Sequence, residues 1–495
     1  MHGLIKPTRE NPSPNLLHIF AILIFILTFS SAALYPLNQA QSAEKDRVPN
    51  IVLIFIDDMG WGDFSCFGNE AATTEHCDRL AQEGIRFTQF YVNSPICSPS
   101  RTAISTGQYP QRWKISSYLA HRKLNDRRGM AQWLDPSAPM LARMLHDQGY
   151  ATGHFGKWHM GGQRDVGEAP LISEYGFDES LTNFEGLGDR VLAELDAYDG
   201  KKPRLHTLGS DKLGRGEIIW KKRDEVTQTF VDATIDFIRK AKADDKPFYV
   251  NVWPDDVHSP FFPPKERRGD QSKRELYLGV LETMDEQLGT LFDFVRNDET
   301  LCQNTLIVMC SDNGPELGAG TAGPLRGHKT TLYEGGIRSP LVVWGPGLID
   351  SANQGTTNTE SIFAAFDVVP SLLEICNIEI ENDKKFDGQA LSGVLLGTST
   401  ASREKPIFFR RPPDRPEIQG RQLPDLAVRE GKWKMLCSYD GQDVELYDLT
   451  NDEGETTNVS DQHPSVVNRL KPELLKWHAS MPTDNGPDWE PKTKE

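Results

Sequence analysis

Acidic, basic and amide side chains follow the apolar segments of this chain at the points where those segments end. Taken singly, an Asp-Asp pair is explained as a helix cap, an Asp-Asn-Gly as a tight turn and a histidine as a surface or core residue. Because sites in an open α/β sheet form beyond the carboxyl ends of the strands, their joint occurrence predicts one site at that edge. The residues concerned are Asp57, Asp58, Lys157, His159, His258, Asp312 and Asn313.

Hard oxygen atoms, from three carboxylates and one amide, dominate this group. Such a ligand set suits Ca²⁺ or Mg²⁺ better than zinc, which prefers cysteine and histidine. Arg101, Lys157 and Lys329 add positive charge beside the two histidines. A divalent cation surrounded by basic side chains is suited to binding and cleaving a doubly charged oxyanion ester. The predicted metal ligands are Asp57, Asp58, Asp312 and Asn313.

Nearly continuous apolar runs lead into these residues and predict the strands that hold them. The lack of alternation is typical of parallel strands covered on both faces. Helical patterns lie between the runs, at EHCDRLAQEG, APMLARMLHDQG and residues 273–297, and the first two end at a glycine suited to a C-terminal cap. We therefore expect a doubly wound α/β domain, with helices on both faces, over residues 49–397. The apolar runs are residues 50–58, 246–258, 305–314 and 339–347.

The pattern changes after Arg403. Short strand-like segments such as KPIFFRR and VELYDLT are joined by turns, and DQHPSVVNRLKPELLKWHASM predicts one closing helix. These features predict a small C-terminal α+β subdomain over residues 403–485, followed by a tail over residues 486–495. Residues 411–425 are rich in proline and arginine and are expected to form a loop.

Composition and charge limit the possible partners. The chain has 495 residues, of which 38% are hydrophobic and 25% are charged, which is typical of a globular enzyme and not of a disordered or fibrous protein. The formal net charge of −17 disfavours nucleic acid as a partner, because phosphate backbones are bound by basic patches. A small anionic substrate needs only a local basic pocket.

Residues 1–43 have the features of a secretion signal. Lys6 and Arg9 precede the apolar run LLHIFAILIFILTFSSAAL, and small residues follow it. Cleavage after Ala33 or near Ser42–Ala43 fits this pattern. An uncleaved anchor is the alternative, since the run is nearly long enough to span a bilayer. We favour cleavage and export to the periplasm or beyond, with no stable membrane span afterwards.

The seven cysteines are an odd number for an exported protein, so at least one is unpaired or used in other chemistry. None forms a CxxC pair, which argues against a zinc site, and Cys77 is expected to pack as a small apolar residue of a helix. Cys97 lies in SPICSPSRTAISTGQ. The segment SPSRTAIS predicts a helix that ends at Gly107, which places Cys97 at a helix N-terminus, where amide donors favour an anion.

Several sequence blocks resemble those of the type I, formylglycine-dependent sulfatases. CSPSR at residues 97–101, followed by TAISTG, looks like the Cys-x-Pro-x-Arg signature of that family. DDMGWGD, GKWH, VHSP, SDNGPE and GHKTTLYEGGIRSP resemble its other blocks, in the usual order, and ELYDLTNDEGETTN resembles its C-terminal subdomain. The chain departs from the family at TTEHCDRLA. It also has Asp255 and Asp256 beside His258, which we expect to cap a turn and not to touch substrate.

The resemblance implies an alkaline-phosphatase-like fold, one bound Ca²⁺ and a formylglycine (3-oxoalanine) made from Cys97 by a formylglycine-generating or maturase enzyme. A thiolate or a serine that attacked sulfate would leave an ester needing a second difficult displacement. The hydrate of an aldehyde avoids this because it has two hydroxyls. One attacks sulfur in line, and the other later loses a proton, expels sulfate and restores the aldehyde.

The roles of the family carry over to the matching positions of this chain. The hydrate at residue 97 would be a further Ca²⁺ ligand, and Asp312 would accept the proton of the attacking hydroxyl. A lysine would protonate the leaving oxygen only if Ca²⁺ and neighbouring cations lowered its pKa. Arg101 and Lys157 would steady the formylglycine and its metal, and His159 would contact the second hydroxyl and assist sulfate release. His258 and Lys329 would bind the sulfate, and one of them would protonate the leaving oxygen.

The sequence therefore predicts a sulfuric ester hydrolase that releases inorganic sulfate, with a sulfated carbohydrate as the expected substrate. The alternatives are an arylsulfatase for small aryl sulfates, a formylglycine-dependent phosphodiesterase or phosphonate hydrolase, and a secreted binding protein on a decayed sulfatase fold. The basic and aromatic residues 112–134 and the segment HMGGQRDVGE lie on the predicted face of the site, as specificity loops do. Within them His121 and Arg122 are candidate sugar contacts, and a solvated loop is the alternative.

Overall fold

The fold is built on one large sheet whose carboxyl edge holds the predicted site residues. The predicted signal segment, apart from residues 2–3, and the predicted tail at residues 486–495 lie outside the residues that the structure describes. The structure is a computed structural model, and it describes residues 2–3, 48–162, 164–184, 186–195, 202–380, 385–415, 417–418 and 421–485.

Twelve strands form the large sheet. In chain order they are β1 (Asn50–Ile56), β2 (Ile85–Tyr91), β3 (Ala151–Lys157), β4 (Glu179–Asn183), β5 (Arg190–Leu195), β6 (Arg204–His206), β7 (Ile218–Lys222), β8 (Phe248–Trp253), β9 (Thr305–Ser311), β10 (Arg338–Trp344), β11 (Thr356–Asn358) and β12 (Phe363–Ala364). Their order across the sheet is β11-β2-β10-β9-β1-β8-β3-β4-β5-β6, with β12 beside β2 and β7 beside β5.

The centre of the sheet is parallel, as the apolar runs predict. β1 pairs in parallel with β8 and β9, and β3 pairs in parallel with β8 and β4. Every residue of β1, β8 and β9 is buried. The expectation is wrong for β10, which runs antiparallel to both β9 and β2. A continuous apolar run reports burial on both faces of the sheet and carries no information about strand direction.

Helices cover both faces of this sheet in two groups that pack among themselves. One group contains α1, α5 and α6, and the other contains α2, α4 and α9. Helix α6 spans the same residues, 273–297, as the predicted amphipathic helix. The helices are α1 (Glu75–Glu83), α2 (Cys97–Thr106), α3 (Arg122–Arg127), α4 (Leu141–His146), α5 (Val226–Ala243), α6 (Lys273–Asn297), α7 (Glu299–Asn304), α8 (Glu334–Ile337), α9 (Val368–Ile375), α10 (Ser392–Leu395) and α11 (Pro464–Ser480).

The two glycines predicted as helix caps behave differently. Gly149 has the left-handed φ of 89°, which suits the end of a helix. Gly84, after α1, has a φ of −118° and so forms no left-handed cap. A Cβ at Gly84 would lie 2.2 Å from the carbonyl oxygen of Val343, so this glycine is required by a close backbone approach. Over the described residues, none of the helices combines the length and apolar character needed to cross a bilayer.

The C-terminal part forms a second, antiparallel sheet of four strands, in the order β13-β16-β17-β18. Helix α11 packs against it, and Leu470, Leu474 and Trp477 of this helix are buried. The segment predicted as a loop contains a short hairpin, β14 with β15. Two-residue strands are too short to give an alternating pattern. The strands are β13 (Ile407–Arg410), β14 (Glu417–Ile418), β15 (Arg421–Gln422), β16 (Leu426–Glu430), β17 (Trp433–Cys437) and β18 (Glu445–Asp448).

Candidate active site

The ends of two neighbouring strands bring the four predicted metal ligands together. Asp57 and Asp58 directly follow β1, and Asp312 and Asn313 directly follow β9. The backbone N–H of Asp58 donates to Asp312 Oδ1 at 3.1 Å, and Asn313 Nδ2 donates to Asp58 Oδ1 at 2.8 Å. All four side chains are fully buried. Parallel pairing of β1 with β9 is therefore what makes one cluster from two segments about 255 residues apart.

Cys97 is the first residue of α2 and lies against this acidic cluster. Its Sγ is 3.9 Å from Asp58 Oδ1, and one possible ligand atom from each of Asp57, Asp58, Cys97 and Asp312 lies within 4.8 Å of the others. Helix α2 ends at Gly107 with the left-handed φ of 68°. Burial raises the pKa of the Cys97 thiol, so the unmodified side chain is a neutral thiol near neutral pH.

Two fully buried cations pair with the aspartates. Arg101 Nη2 lies 2.8 Å from Asp312 Oδ2 and 3.4 Å from Asp57 Oδ1. Lys157 Nζ lies 2.5 Å from Asp57 Oδ2, and its backbone carbonyl accepts a hydrogen bond from Arg101 Nη1 at 3.1 Å. Helix α2 and strand β3 thus each bring one positive charge to the cluster and are joined to each other there.

Burial and neighbouring charges act on these carboxylates in opposite directions. Burial raises the pKa of Asp57, but the neighbouring cations, led by Lys157, more than offset it and hold its pKa well below the ordinary value. Burial, together with the negative charge of Asp57, raises the pKa of Asp312 to about 8. The pKa values of the two carboxylates are therefore shifted in opposite directions.

His258 and Lys329 form the outer side of the site. Lys329 Nζ lies 2.6 Å and His258 Nε2 lies 3.7 Å from the same atom, Asp58 Oδ2. Their side chains are 17% and 20% exposed, whereas the aspartates are fully buried. A substrate that approaches from solvent therefore meets these two side chains first.

The outer pair differ in how readily they would give up a proton. Burial lowers the pKa of His258, and the charge of Lys329 lowers it further. Burial also lowers the pKa of Lys329, but Asp58 outweighs this and leaves it above the ordinary value. A lysine that is to act as an acid needs the opposite shift.

His159 is buried beside the cluster, and an aromatic ring links it to the outer pair. Its Nε2 lies 3.3 Å from the carbonyl oxygen of Leu119, and burial, with Lys157, holds its pKa well below the ordinary value. The Phe184 ring lies 4.9 Å from the His159 ring and 5.4 Å from the His258 ring. Sequence reasoning missed Phe184, because it follows β4, whose sequence ESLTN has only one strongly apolar residue.

The cluster fits a hard cation. None of the described residues donates a hydrogen bond to the buried atoms Asn313 Oδ1 and Asp57 Oδ1, although Arg101 lies 3.4 Å from the second. A buried acceptor without a donor costs about 1–3 kcal/mol, and a Ca²⁺ or Mg²⁺ ion supplies the missing partner. The residues that would hold it are Asp57, Asp58, Asp312 and Asn313.

The two acidic residues beside His258 hold an arginine. Asp256 Oδ1 lies 2.7 Å from Arg223 Nη2 and Asp256 Oδ2 accepts from Thr227 Oγ1 at 2.6 Å. The same Arg223 Nη2 donates to the carbonyl oxygen of His258 at 3.4 Å, and the backbone N–H of His258 donates to the Asp255 carbonyl at 3.0 Å. These contacts form the expected turn and fix its position. Arg223 was not foreseen, because it lies more than 30 residues earlier in the chain.

The predicted substrate residues His121 and Arg122 lie at the N-terminal end of α3. His121 Nδ1 accepts from the backbone N–H of Leu124 at 3.3 Å. The Arg122 side chain pairs with Glu168, so the two predicted pocket segments do contact each other. Among the described residues, no hydrogen bond or ion pair joins either residue to the acidic cluster, and Leu119 is the link from this segment to His159. Their role in substrate binding stays a prediction.

All seven cysteines have free thiols in the structure. Cys77 is buried in α1, as expected for a small apolar residue. Burial raises the pKa of the thiols of Cys66, Cys77 and Cys310 as well as that of Cys97. Cys97 is therefore not marked by an unusual acidity, and what distinguishes it is its position against three aspartates.

Comparison with known families gives the class of protein that this fold and site define. The family profile described as Sulfatase matches residues 49–378, and the profile described as N-sulphoglucosamine sulphohydrolase, C-terminal, matches residues 327–480. The chain belongs to the sulfatase family and has its alkaline-phosphatase-like fold. It is a sulfuric ester hydrolase.

Individual relatives and solved structures agree with this class. The chain is 30% identical to arylsulfatase A of Homo sapiens, over 89% of this chain and 90% of that protein. It is 28% identical to N-acetylgalactosamine-6-O-sulfatase of Bacteroides thetaiotaomicron, over 88% of this chain and 94% of that protein. Among solved structures, Ps i-CgsB in complex with k-i-k-neocarrahexaose has a TM-score of 0.70 and 25% identity, over 87% of this chain and 93% of that one.

Proposed function

We propose that the protein hydrolyses the sulfate ester of a carbohydrate, with residue 97 as the nucleophile after conversion of Cys97 to formylglycine. The observation that carries this proposal is the position of Cys97 at the start of α2, against three buried aspartates and near two buried cations. A buried neutral thiol is a poor nucleophile. Oxidation by the maturing enzyme would replace the thiol with an aldehyde, and addition of water to the aldehyde would give a hydrate with its hydroxyls at the same place.

We propose Ca²⁺ as the ion held by the four ligands at the ends of β1 and β9. When bound, it would offset the negative charge of the sulfate and of the attacking group. Arg101 and Lys157, which pair with Asp312 and Asp57, would keep these ligands oriented. The orphaned oxygen Oδ1 of Asn313 supports an ion in this position.

The residues around position 97 are suited to moving its protons. The hydrate of formylglycine supplies two hydroxyls, one to attack sulfur and one to expel sulfate afterwards. Asp312, which lies against residue 97 and is held by Arg101 at 2.8 Å, is the carboxylate that would accept the proton of the attacking hydroxyl. His159, whose pKa is well below the ordinary value, is a neutral base and would take the proton of the second hydroxyl.

The outer pair would receive the substrate. We propose that His258 and Lys329 bind the sulfate oxygens, since both side chains reach solvent and both face Asp58. Proton transfer is most efficient when the pKa of the acid lies near the working pH. The negative charge of a bound sulfate would raise the lowered pKa of His258 towards the working pH. His258 is therefore our choice for protonating the leaving oxygen.

A sulfated sugar is the proposed substrate. The support is that a relative of this chain is named N-acetylgalactosamine-6-O-sulfatase and that a solved neighbour is in complex with a neocarrahexaose. We propose residues 112–134, including His121 and Arg122, as the part of the chain that meets the sugar. We also propose that residues 1–43 direct export of the protein. A formylglycine-generating or maturase enzyme would be its partner during biogenesis.

The test is a comparison of leaving groups and esters. Release of sulfate or phosphate would be measured for N-acetylgalactosamine 6-sulfate, a sulfated neocarrahexaose, nitrophenyl sulfate and bis-nitrophenyl phosphate, with and without a calcium chelator. We expect the highest kcat/KM on a sulfated sugar and loss of activity with the chelator, with the Cys97→Ser variant as the inactive control. A preference for nitrophenyl sulfate over every sugar, faster phosphodiester hydrolysis, or sugar binding without turnover would each contradict the proposal.

A further inference from the structure

A cavity away from the active site lies between the large sheet and the C-terminal sheet. It has a volume of about 620 Å³. Its lining includes Thr88 and Gln89 of β2, Arg338 of β10, Arg429 of β16 and Lys432. The described residues that line it include none of the active-site residues. The cavity is thus separate from the site around Cys97 and belongs to no step proposed above.

Three buried arginines from three separate segments line this cavity. They are Arg338, Arg403 and Arg429, with exposed fractions of 6%, 8% and 3%. Buried guanidinium groups in proteins are almost always paired with carboxylates. Arg403 follows this rule, because its Nη1 lies 3.1 Å from Asp367. Arg338 has weaker pairs, at 3.5 Å with Glu334 and 3.6 Å with Glu453.

Arg429 does not follow the rule. Its Nε donates to Tyr91 Oη at 3.1 Å and its Nη2 donates to Gln89 Oε1 at 3.1 Å, and both partners are neutral groups. Its Nη1 is buried and has no hydrogen-bond partner among the residues that the structure describes. Within the described part of the chain, no carboxylate forms an ion pair with it. Glu334 acts on Arg429 from beyond Tyr91, whose hydroxyl donates to Glu334 Oε2 at 2.7 Å. A buried N–H without an acceptor is costly, so Arg429 has a donor left for an oxyanion.

The buried carboxylates of this region are already used by other cations. Glu334 lies 3.0 Å from Lys434 Nζ and 3.5 Å from Arg338, and Glu455 lies 2.8 Å from the same Lys434 Nζ. Three buried cations, counting Arg429, therefore face two buried carboxylates. Burial raises the pKa of Glu455 to about 7, which reduces its negative charge near neutral pH. The charged residues that line the cavity are four basic ones, Arg338, Arg403, Arg429 and Lys432, and two acidic ones, Glu360 and Glu453, so its lining is net positive.

We propose that this cavity is an oxyanion site that binds a sulfate group against Arg429, with Arg338 and Arg403 beside it. Guanidinium groups match the oxygen atoms of a sulfate through paired N–H donors. The sulfate is either the inorganic product of the reaction or a sulfate group on a saccharide, since both present the same oxygens. Room for a sugar exists at the rim, where Lys432 and Glu453 are exposed and the Trp61 ring borders the cavity.

The direct experiment is a soak of wild-type crystals in selenate, whose selenium marks a bound oxyanion by its anomalous scattering. We expect a peak in contact with Arg429, in addition to any peak near residue 97. An anomalous map with a peak only near residue 97, or only at other surface positions, would overturn the proposal. This readout needs neither a variant nor catalytic activity, so it stands apart from the test of the proposed function.

Binding in solution gives the second readout and identifies the source of the sulfate. Equilibrium dialysis with labelled sulfate would compare Arg429→Gln with Arg429→Lys, which keeps the charge but not the planar N–H donors. We expect at least about tenfold weaker binding at one of two sites in the first variant and a smaller loss in the second. In the Cys97→Ser background, a sulfated oligosaccharide that displaces the sulfate at Arg429 identifies a saccharide subsite, with the desulfated oligosaccharide as control. Displacement by inorganic selenate alone identifies a product site. Identical sulfate binding by Arg429→Gln and wild type would contradict both.

Discussion

Asp58 joins the metal side and the substrate side of the site at the scale of single residues. Its Oδ1 accepts from Asn313 at 2.8 Å, and its Oδ2 faces both Lys329 at 2.6 Å and His258 at 3.7 Å. The first oxygen belongs to the fully buried ligand cluster, and the second lies next to the side chains that reach solvent. A sulfate between His258 and Lys329 would therefore lie beside the proposed metal position and beside residue 97.

The leaving-group dependence of two variants tests the assignment of the acid. We expect His258→Gln to lower kcat on a sugar sulfate by about 10²–10⁴-fold, the usual contribution of a general acid. The loss should be much smaller on nitrophenyl sulfate, because nitrophenolate departs without needing a proton. Lys329→Met is the matched comparison, and it should lower kcat/KM for both substrates alike, since its charge acts on the sulfate.

The measurement is kcat and KM for both substrates and both variants. Equal losses on the two substrates for His258→Gln would show that His258 acts only through binding. A strong leaving-group dependence in Lys329→Met instead would move the acid role to Lys329.

At the scale of elements, the C-terminal sheet supports the segment that carries Lys329. Helix α8 begins at Glu334, five residues after Lys329, and the backbone N–H of Glu334 donates to Glu455 Oε2 at 2.6 Å. Lys434 of β17 pairs with both glutamates, at 3.0 and 2.8 Å, and all three side chains are fully buried. The network therefore ties one end of the active-site segment to the second sheet.

Removal of the lysine should destabilise the protein strongly. Lys434→Met leaves two carboxylates buried without their shared partner, and we expect a loss of about 3–5 kcal/mol in the free energy of unfolding. Lys432→Met is the matched control, because Lys432 is 49% exposed and pairs with Asp448 at the surface; its effect should stay within about 0.5 kcal/mol. Urea unfolding followed by circular dichroism measures both. Similar values for the two variants would contradict a structural role for the network.

At the scale of the whole molecule, the parts that the sequence predicted are those with local signals. Continuous apolar runs marked β1 and β9, and the polar residues directly after them identified the site edge. The segment from Cys97 to Gly107 has the features of a helix start and stop, and α2 has these bounds. The long helix α6 follows from a 25-residue amphipathic pattern.

The parts that the sequence did not predict depend on contacts between distant residues. The antiparallel direction of β10 depends on its two neighbours in the sheet, and its own apolar run does not encode it. Arg429 contacts Tyr91 across 338 residues of chain, so its hydrogen-bond partners have no local sign in the sequence. The positions of Phe184 and Arg223 beside the histidines are set by the fold in the same way.

The central claim is that residue 97 acts as a formylglycine, and the most direct measurement is the mass of the peptide that contains it. Active protein would be digested and the peptide spanning Cys97 analysed by mass spectrometry, with specific activity measured on the same preparations. We predict that the aldehyde form is present and that sulfate release rises in proportion to the converted fraction. Fully active protein in which this peptide carries only the unmodified thiol would contradict the account.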